Sequence, residues 1–152
     1  MKFTQAVQNT PALANAYRPG LQALKRADAE HITCTKPGTL TGSVDVDSAL
    51  YEIYPHEPRW DYAVGIKNDQ ATDWTIWIEV HPASSTCEVN VVIAKLRWLK
   101  SWAADAAPEL LSLTREYVWV ATGSVAFSHA SPQRKRLASE DIRFTGNRYI
   151  IC

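Results

Sequence analysis

Two neighbouring runs of aromatic and β-branched residues constrain the fold of this 152-residue chain more than any other feature. They cover residues 60–67 and 74–81, and the polar segment 68–73 joins them. Such runs around a short polar connection are typical of a β-hairpin. With the turn centred on Gln70, strand alternation places an apolar set on one face: Tyr62, Val64, Ile66, Ile76, Ile78 and Val80. That face is predicted to pack on a hydrophobic core.

The opposite face of the predicted hairpin carries charged side chains. Asp61, Glu79 and His81 fall on it, and the turn at Gln70 sets Asp61 across from Glu79. Paired residues of antiparallel strands hold their Cβ atoms about 5 Å apart. The sequence therefore predicts two carboxylates side by side, which could be solvated, paired with a lysine or arginine, or joined by a cation.

The remaining pattern predicts further helices and strands around this hairpin. Apolar spacing indicates an amphipathic helix over 88–103, and Ser131-Pro132 begins another that runs to about Glu140. Strands are expected over 31–35, 116–123 and 148–151. These elements predict a single α/β domain over residues 1–152.

The first third of the chain gives weaker signals. Helix starts are expected at Thr10-Pro11 and Arg18-Pro19, with a helix over 21–28. Residues 44–47 alternate like a strand, whereas 48–53 suit a helix capped by Asp47 or Ser48. We expect the helix over 21–28, whose apolar face is narrow, to cover an edge.

Charge and hydropathy restrict the class of protein. The formal net charge is zero, so any nucleic-acid binding must come from a local basic patch. No apolar run approaches the roughly 20 residues that span a bilayer, and the first residues lack the apolar stretch of a signal peptide. We therefore expect a cytoplasmic protein without a membrane partner. Three scattered cysteines suggest neither a disulfide framework nor a zinc site.

The order helix, strand, hairpin, helix, strand, with Asp61 and Glu79-Val80-His81 on the hairpin, resembles the core of the PD-(D/E)xK nuclease superfamily. The resemblance covers residues 33–123. That family pairs an aspartate at the start of one strand with a (D/E)-x-K triplet on the next. Here Arg59-Trp60-Asp61 stands where Pro-Asp is usual, and His81 stands at the position of the lysine. The resemblance implies a restriction-endonuclease-like three-layer core, with a mixed central sheet flanked by helices.

The resemblance also implies a metal-dependent nuclease. Asp61 and Glu79 would be the ligands of Mg²⁺ or Mn²⁺, since hard cations prefer oxygen donors. His81 would act as base, or Lys95 on the following helix would take the lysine's role, and Glu52 would be an additional acidic ligand. The alternative is a catalytically inactive nuclease-like module that binds a protein or a nucleic acid. In that case His81 ends its strand and Lys95 extends its ammonium to solvent.

Two further groups of residues suggest partners. Arg134, Lys135 and Arg136 form the best local patch for DNA or RNA phosphates, although a solvated helix face explains them equally well. Trp98 and Trp102 lie one helical turn apart. They could stack on bases, pack in the core, or form the surface of a homodimer.

Overall fold

A mixed six-stranded β-sheet lies at the centre of the fold. The structure, a computed structural model, describes residues 1–69 and 71–151. Its helices are α1 (Phe3–Gln8), α2 (Arg26–Ala29), α3 (Val46–Leu50), α4 (Cys87–Ala106), α5 (Pro108–Ser112) and α6 (Pro132–Ser139). Its strands are β1 (Tyr17–Arg18), β2 (Ile32–Cys34), β3 (Leu40–Asp45), β4 (Tyr62–Lys67), β5 (Asp73–Ala83), β6 (Thr114–Val125), β7 (Ile142–Phe144) and β8 (Tyr149–Ile151). The predicted α/β class is confirmed.

The sheet combines antiparallel and parallel pairing. Its strand order is β1-β3-β4-β5-β6-β7. Strands β3, β4 and β5 pair antiparallel, whereas β6 runs parallel to β5 after the crossover through α4 and α5, and β7 runs parallel to β6 after α6. The final predicted strand exists as β8, but it pairs with β2 in a separate parallel sheet. A mixed sheet containing an antiparallel hairpin is therefore confirmed.

The register of the β4–β5 hairpin agrees with the sequence pattern. Tyr62 pairs with Ile78 and Ala63 pairs with Trp77. Gln70, on which we centred the turn, lies outside the described residues. The residue numbers of each observed pair nevertheless average to 70, as predicted. In the same register, the next pair beyond Tyr62 and Ile78 would be Asp61 and Glu79.

The two faces of the sheet pack against different layers. One face holds the predicted apolar set and packs against residues of β2, β8 and the segment before α2, including Leu24, Ile32 and Tyr149. The other face packs against the helices, including α1, α4 and α6. Helix α4 covers that face because its apolar side chains recur every three or four residues, and its buried set is Val89, Val92, Ile93, Leu96, Leu99, Trp102 and Ala103. One flanking layer therefore contains a small sheet as well as helix.

The N-terminal helix predictions were wrong in position. The first helix, α1, precedes Thr10-Pro11, and Pro11 lies in a turn. Of the predicted helix over 21–28, only the end is helical, as α2. Gly65 explains why α1 fits here: a Cβ at that position would lie 2.3 Å from the ring of Phe3, so the missing side chain allows α1 to approach the sheet.

The cap of the third helix also differs from the prediction. Asp45, rather than Asp47 or Ser48, caps α3, and its Oδ1 accepts the Ser48 N–H at 2.9 Å. The helix begins immediately after β3 and ends at Leu50. The backbone N–H groups of Val46 and Asp47 donate to the Asp61 carbonyl, at 2.8 and 3.2 Å. This connection joins the start of α3 to the predicted acidic site.

Candidate functional site

Asp61 and Glu79 lie side by side where the β4–β5 hairpin ends, as the sequence predicted. The backbone N–H of Asp61 donates to Glu79 Oε1 at 3.1 Å, and the N–H of Val80 donates to Asp61 Oδ2 at 3.0 Å. Each carboxylate is thus held by the backbone of the neighbouring strand. Glu79 is fully buried, whereas the Asp61 side chain keeps 20% of its exposure.

Lys95 reaches this pair from α4. Its Nζ donates to Glu79 Oε2 and lies 3.8 Å from Asp61 Oδ1. The Lys95 side chain is only 15% exposed, so its ammonium is directed into the site and not to solvent. One lysine therefore contacts both carboxylates, which leaves the trio with a net charge of about −1 when all three groups are ionised.

Burial and mutual repulsion shape the electrostatics of this trio. Burial raises the pKa of Asp61 above its ordinary value, although Lys95 and the Val80 N–H oppose the rise. Burial, followed by the charge of Asp61, raises the pKa of Glu79 well above its ordinary value. Burial lowers the pKa of Lys95, but the two carboxylates outweigh it, so that pKa is raised overall. The raised pKa of Lys95 favours its charged form, whereas the raised pKa of each carboxyl group favours its protonated form.

His81 lies between Glu79 and Glu88, a carboxylate that the sequence reasoning did not assign to the site. Its Nε2 is hydrogen-bonded to Glu88 Oε2, and its Nδ1 lies 3.5 Å from Glu79 Oε2. The Trp119 indole N–H donates to the His81 carbonyl at 2.9 Å. Glu88 could have been found from the sequence, because only six residues, 82–87, separate the predicted strand that ends at His81 from the predicted helix that begins at Glu88.

Asp47 and Arg59 form an adjacent ion pair, with Nε and Oδ1 2.9 Å apart. The negative charge of Asp47 contributes to the raised pKa of Asp61 and Lys95. Glu52, which the resemblance suggested as an extra ligand, is exposed in the turn after α3. Asp47 therefore takes the neighbouring position that we expected Glu52 to occupy.

One face of α4 beside the site carries an exposed residue. Glu88, Val91 and Lys95 follow one another at spacings of three and four residues, so they share one face of the helix. Val91 is 43% exposed, although the residues on either side of it on this face are bonded to the site. Val91 is therefore an exposed residue between the contacts that Glu88 and Lys95 make with the site.

The predicted basic patch lies across α4 from this site. The Arg136 guanidinium donates to the Asn90 side-chain oxygen, and the Arg134 guanidinium lies 4.8 Å from the centroid of the Phe144 ring. No ion pair in the described part of the chain includes Arg134, Lys135 or Arg136. The patch thus keeps its positive charge.

The two tryptophans of α4 belong to the packed interior more than to the surface. Trp102 is 7% exposed, and its ring stacks on that of Trp98 with centroids 6.1 Å apart. Trp98 is half-buried and contacts the Tyr54 ring edge-on at 5.3 Å. Of the alternatives that the sequence left open for these tryptophans, packing in the core is observed for Trp102.

The side chains of the site supply the donor type that a hard cation requires. Asp61 and Glu79 give carboxylate oxygens, and Lys95 is the cation that contacts both of them. No group of three or more His, Cys, Asp or Glu side chains within residues 1–69 and 71–151 is arranged to hold a metal ion. Two carboxylates with water and phosphate oxygens nevertheless make a normal shell for Mg²⁺.

Comparison with known proteins yields no relative. No protein-family model matches this chain, and no curated protein or solved structure is significantly similar to it. Among the described residues, no helix combines the length and hydropathy that a bilayer crossing requires.

Proposed function

We propose that this chain is a metal-dependent nuclease-like domain that acts on phosphodiester bonds of DNA or RNA. The observation that carries the proposal is the convergence of Asp61, Glu79 and Lys95 on one point where the β4–β5 hairpin ends. Perturbed buried carboxylates beside a lysine are more common in active sites than in ordinary structural positions.

The order of elements supports the finer assignment to a restriction-endonuclease-like core. Three antiparallel strands, β3, β4 and β5, precede α4, and the chain then returns as the parallel strand β6. Asp61 lies just before β4, Glu79 lies within β5, and Lys95 lies on α4. These are the places that the PD-(D/E)xK resemblance implies, with the lysine moved to the helix.

Asp61 and Glu79 would hold Mg²⁺ or Mn²⁺ between their side chains. The bound cation would polarise the phosphate and lower the pKa of a coordinated water. Lys95 keeps its proton, so it would place a positive charge beside the phosphate oxygens. Of the two candidates for the lysine's role, Lys95 is favoured because it contacts both carboxylates. His81 is the neighbouring side chain to which the resemblance would assign the role of base.

A cleavage assay tests this proposal. Single-stranded and duplex DNA and RNA would be incubated with Mg²⁺, Mn²⁺ or a chelator. We expect cation-dependent cleavage that falls by about 100-fold or more in Asp61→Asn and Glu79→Gln, because each variant removes a metal ligand. Asp105→Asn, at an exposed position of α4, is the matched control and should cleave normally.

Two results of this assay would contradict the proposal. One is no cleavage of any of these substrates by the wild-type protein. The other is cleavage that persists unchanged in folded Asp61→Asn and Glu79→Gln proteins, with folding checked by circular dichroism.

A catalytically inactive nuclease-like binding module is the second candidate. It is favoured by the direct pairing of Lys95 with Glu79, which already partly neutralises the carboxylates. In that case the wild-type protein should bind a nucleic acid or a protein without cleaving, and should show no binding of Mn²⁺ that depends on Asp61.

A further inference from the structure

A second set of polar side chains converges in a cavity between the first turns of α4 and α6. The cavity has a volume of about 250 Å³, and its polar lining comprises Thr86, Cys87, Asn90, Gln133 and Arg136. All of these groups can donate a hydrogen bond, and no acidic side chain lines the cavity in the described part of the chain. Such a lining suits an anion.

The positive charges between α4 and α6 have acidic partners at one end of α6 but not at the other. Where α6 ends, Arg97 of α4 pairs with Glu140, and Lys100 of α4 pairs with Asp141. At the near end, Arg136 is oriented by the neutral Asn90 side chain and has no carboxylate partner in the described residues. The positive charge at the near end therefore remains available to a ligand.

The cavity lies on the side of α4 that faces away from His81. Glu88 and Asn90 are separated by about 200° around α4, so Glu88 faces His81 while Asn90 faces α6. An α-helix with its side chains is about 10 Å across, a distance that one or two nucleotides of an extended strand can span. A strand crossing the start of α4 would meet both places.

We propose that this cavity binds a backbone phosphate of the nucleic-acid strand whose scissile phosphate lies at Asp61, Glu79 and Lys95. The inference rests on the proposed function and adds the direction in which the strand leaves the site. Arg136 supplies the charge, and Asn90 and Gln133 supply amide donors. Lys135 and Arg134 on the same helix extend the positive surface.

Strand binding can be measured without cleavage. A labelled single-stranded oligonucleotide would be titrated, by fluorescence anisotropy in chelator, into the Glu79→Gln protein and into the same protein carrying Arg136→Gln. We expect about fivefold to tenfold weaker binding with Arg136→Gln, and a slope of log affinity against log salt that is smaller by about 1, because one phosphate contact is lost. Arg97→Gln, on the same interface but paired with Glu140, is the control and should bind like the parent.

Cys87 gives an independent footprint of the cavity. Cys87 is exposed and lines the cavity, whereas Cys34 lies on β2 in the other layer. Bound oligonucleotide should cover Cys87 and therefore slow its alkylation by about fivefold or more. The alkylation of Cys34 should not change. Inorganic phosphate at the same phosphate concentration should protect far less, because it lacks the rest of the strand.

The outcomes separate the two proposals. Unchanged alkylation of Cys87 at saturating oligonucleotide, or normal binding by Arg136→Gln, would overturn the cavity assignment even if the protein cleaves nucleic acid. Equal protection by inorganic phosphate would show a site for free phosphate and would also overturn it. Protection and weakened binding without any cleavage by the wild-type protein would support the cavity and reject the proposed nuclease activity.

Discussion

The two faces of the β4–β5 hairpin differ in what they bury. On one face, Ile76 and Ile78 are wholly enclosed by other apolar side chains. On the other, Glu79 is equally inaccessible to solvent, although it carries an ionisable group. An apolar face stabilises the fold directly, whereas a buried ion pair offers little net stability because both partners lose their hydration. The contribution of Glu79 and Lys95 to stability is therefore expected to differ in kind from that of Ile76 and Ile78.

Removing Lys95 should change the stability of the charged face more than any other substitution considered below. Lys95→Met leaves two neighbouring carboxylates without their cation, so we expect the free energy of unfolding at neutral pH to fall by about 3 kcal/mol. Urea denaturation at neutral pH measures this. The control is Lys100→Met on the same helix, whose partner Asp141 is exposed, and it should change stability by less than about 1 kcal/mol. Equal losses in both variants would show that Lys95 is an ordinary surface lysine.

The charged face should also make stability depend on pH, with a smaller effect than the loss of Lys95. Folding raises the pKa of Glu79 and of Asp61, so the folded state binds protons more tightly than the unfolded state. Their contribution to stability is therefore fully present below the unfolded pKa and is lost as pH rises through the folded pKa. We expect the free energy of unfolding to decline from acidic towards neutral pH on this account, and Glu79→Gln to reduce that decline.

A variant on the apolar face is the control for this pH series. Ile78→Val should lower the free energy of unfolding by about 1 kcal/mol at every pH, because it removes one buried methylene and no charge. Urea denaturation across the pH range measures both variants. The electrostatic account fails if Glu79→Gln and Ile78→Val change the curve in the same way.

The sequence predicted the hairpin well because its signal is local. Strand alternation fixed the register of residues 60–67 and 74–81, and the same alternation placed Asp61 beside Glu79. Helix α4 was predicted within a few residues for a similar reason, since its apolar side chains repeat along the chain. These features depend on neighbouring residues, so they can be read without knowing the rest of the fold.

The features that were missed depend on tertiary contacts. Helix α1 precedes Pro11, and it packs closely on the sheet because Gly65, far along the chain, makes space for Phe3. The pairing of β8 with β2 joins segments more than a hundred residues apart. Likewise, the sequence offered Lys95 as a candidate for the lysine's role because it lies on the helix after the hairpin. Its contact with both carboxylates depends on how α4 packs on the sheet.

Calorimetric titration with Mn²⁺ tests the central claim most directly, that Asp61 and Glu79 together hold one divalent cation. The account predicts binding of one ion per wild-type chain, its loss in Asp61→Asn and in Glu79→Gln, and its retention in Asp105→Asn. No binding to the wild-type chain, or equal binding to the Asp61→Asn and Glu79→Gln proteins, would contradict it.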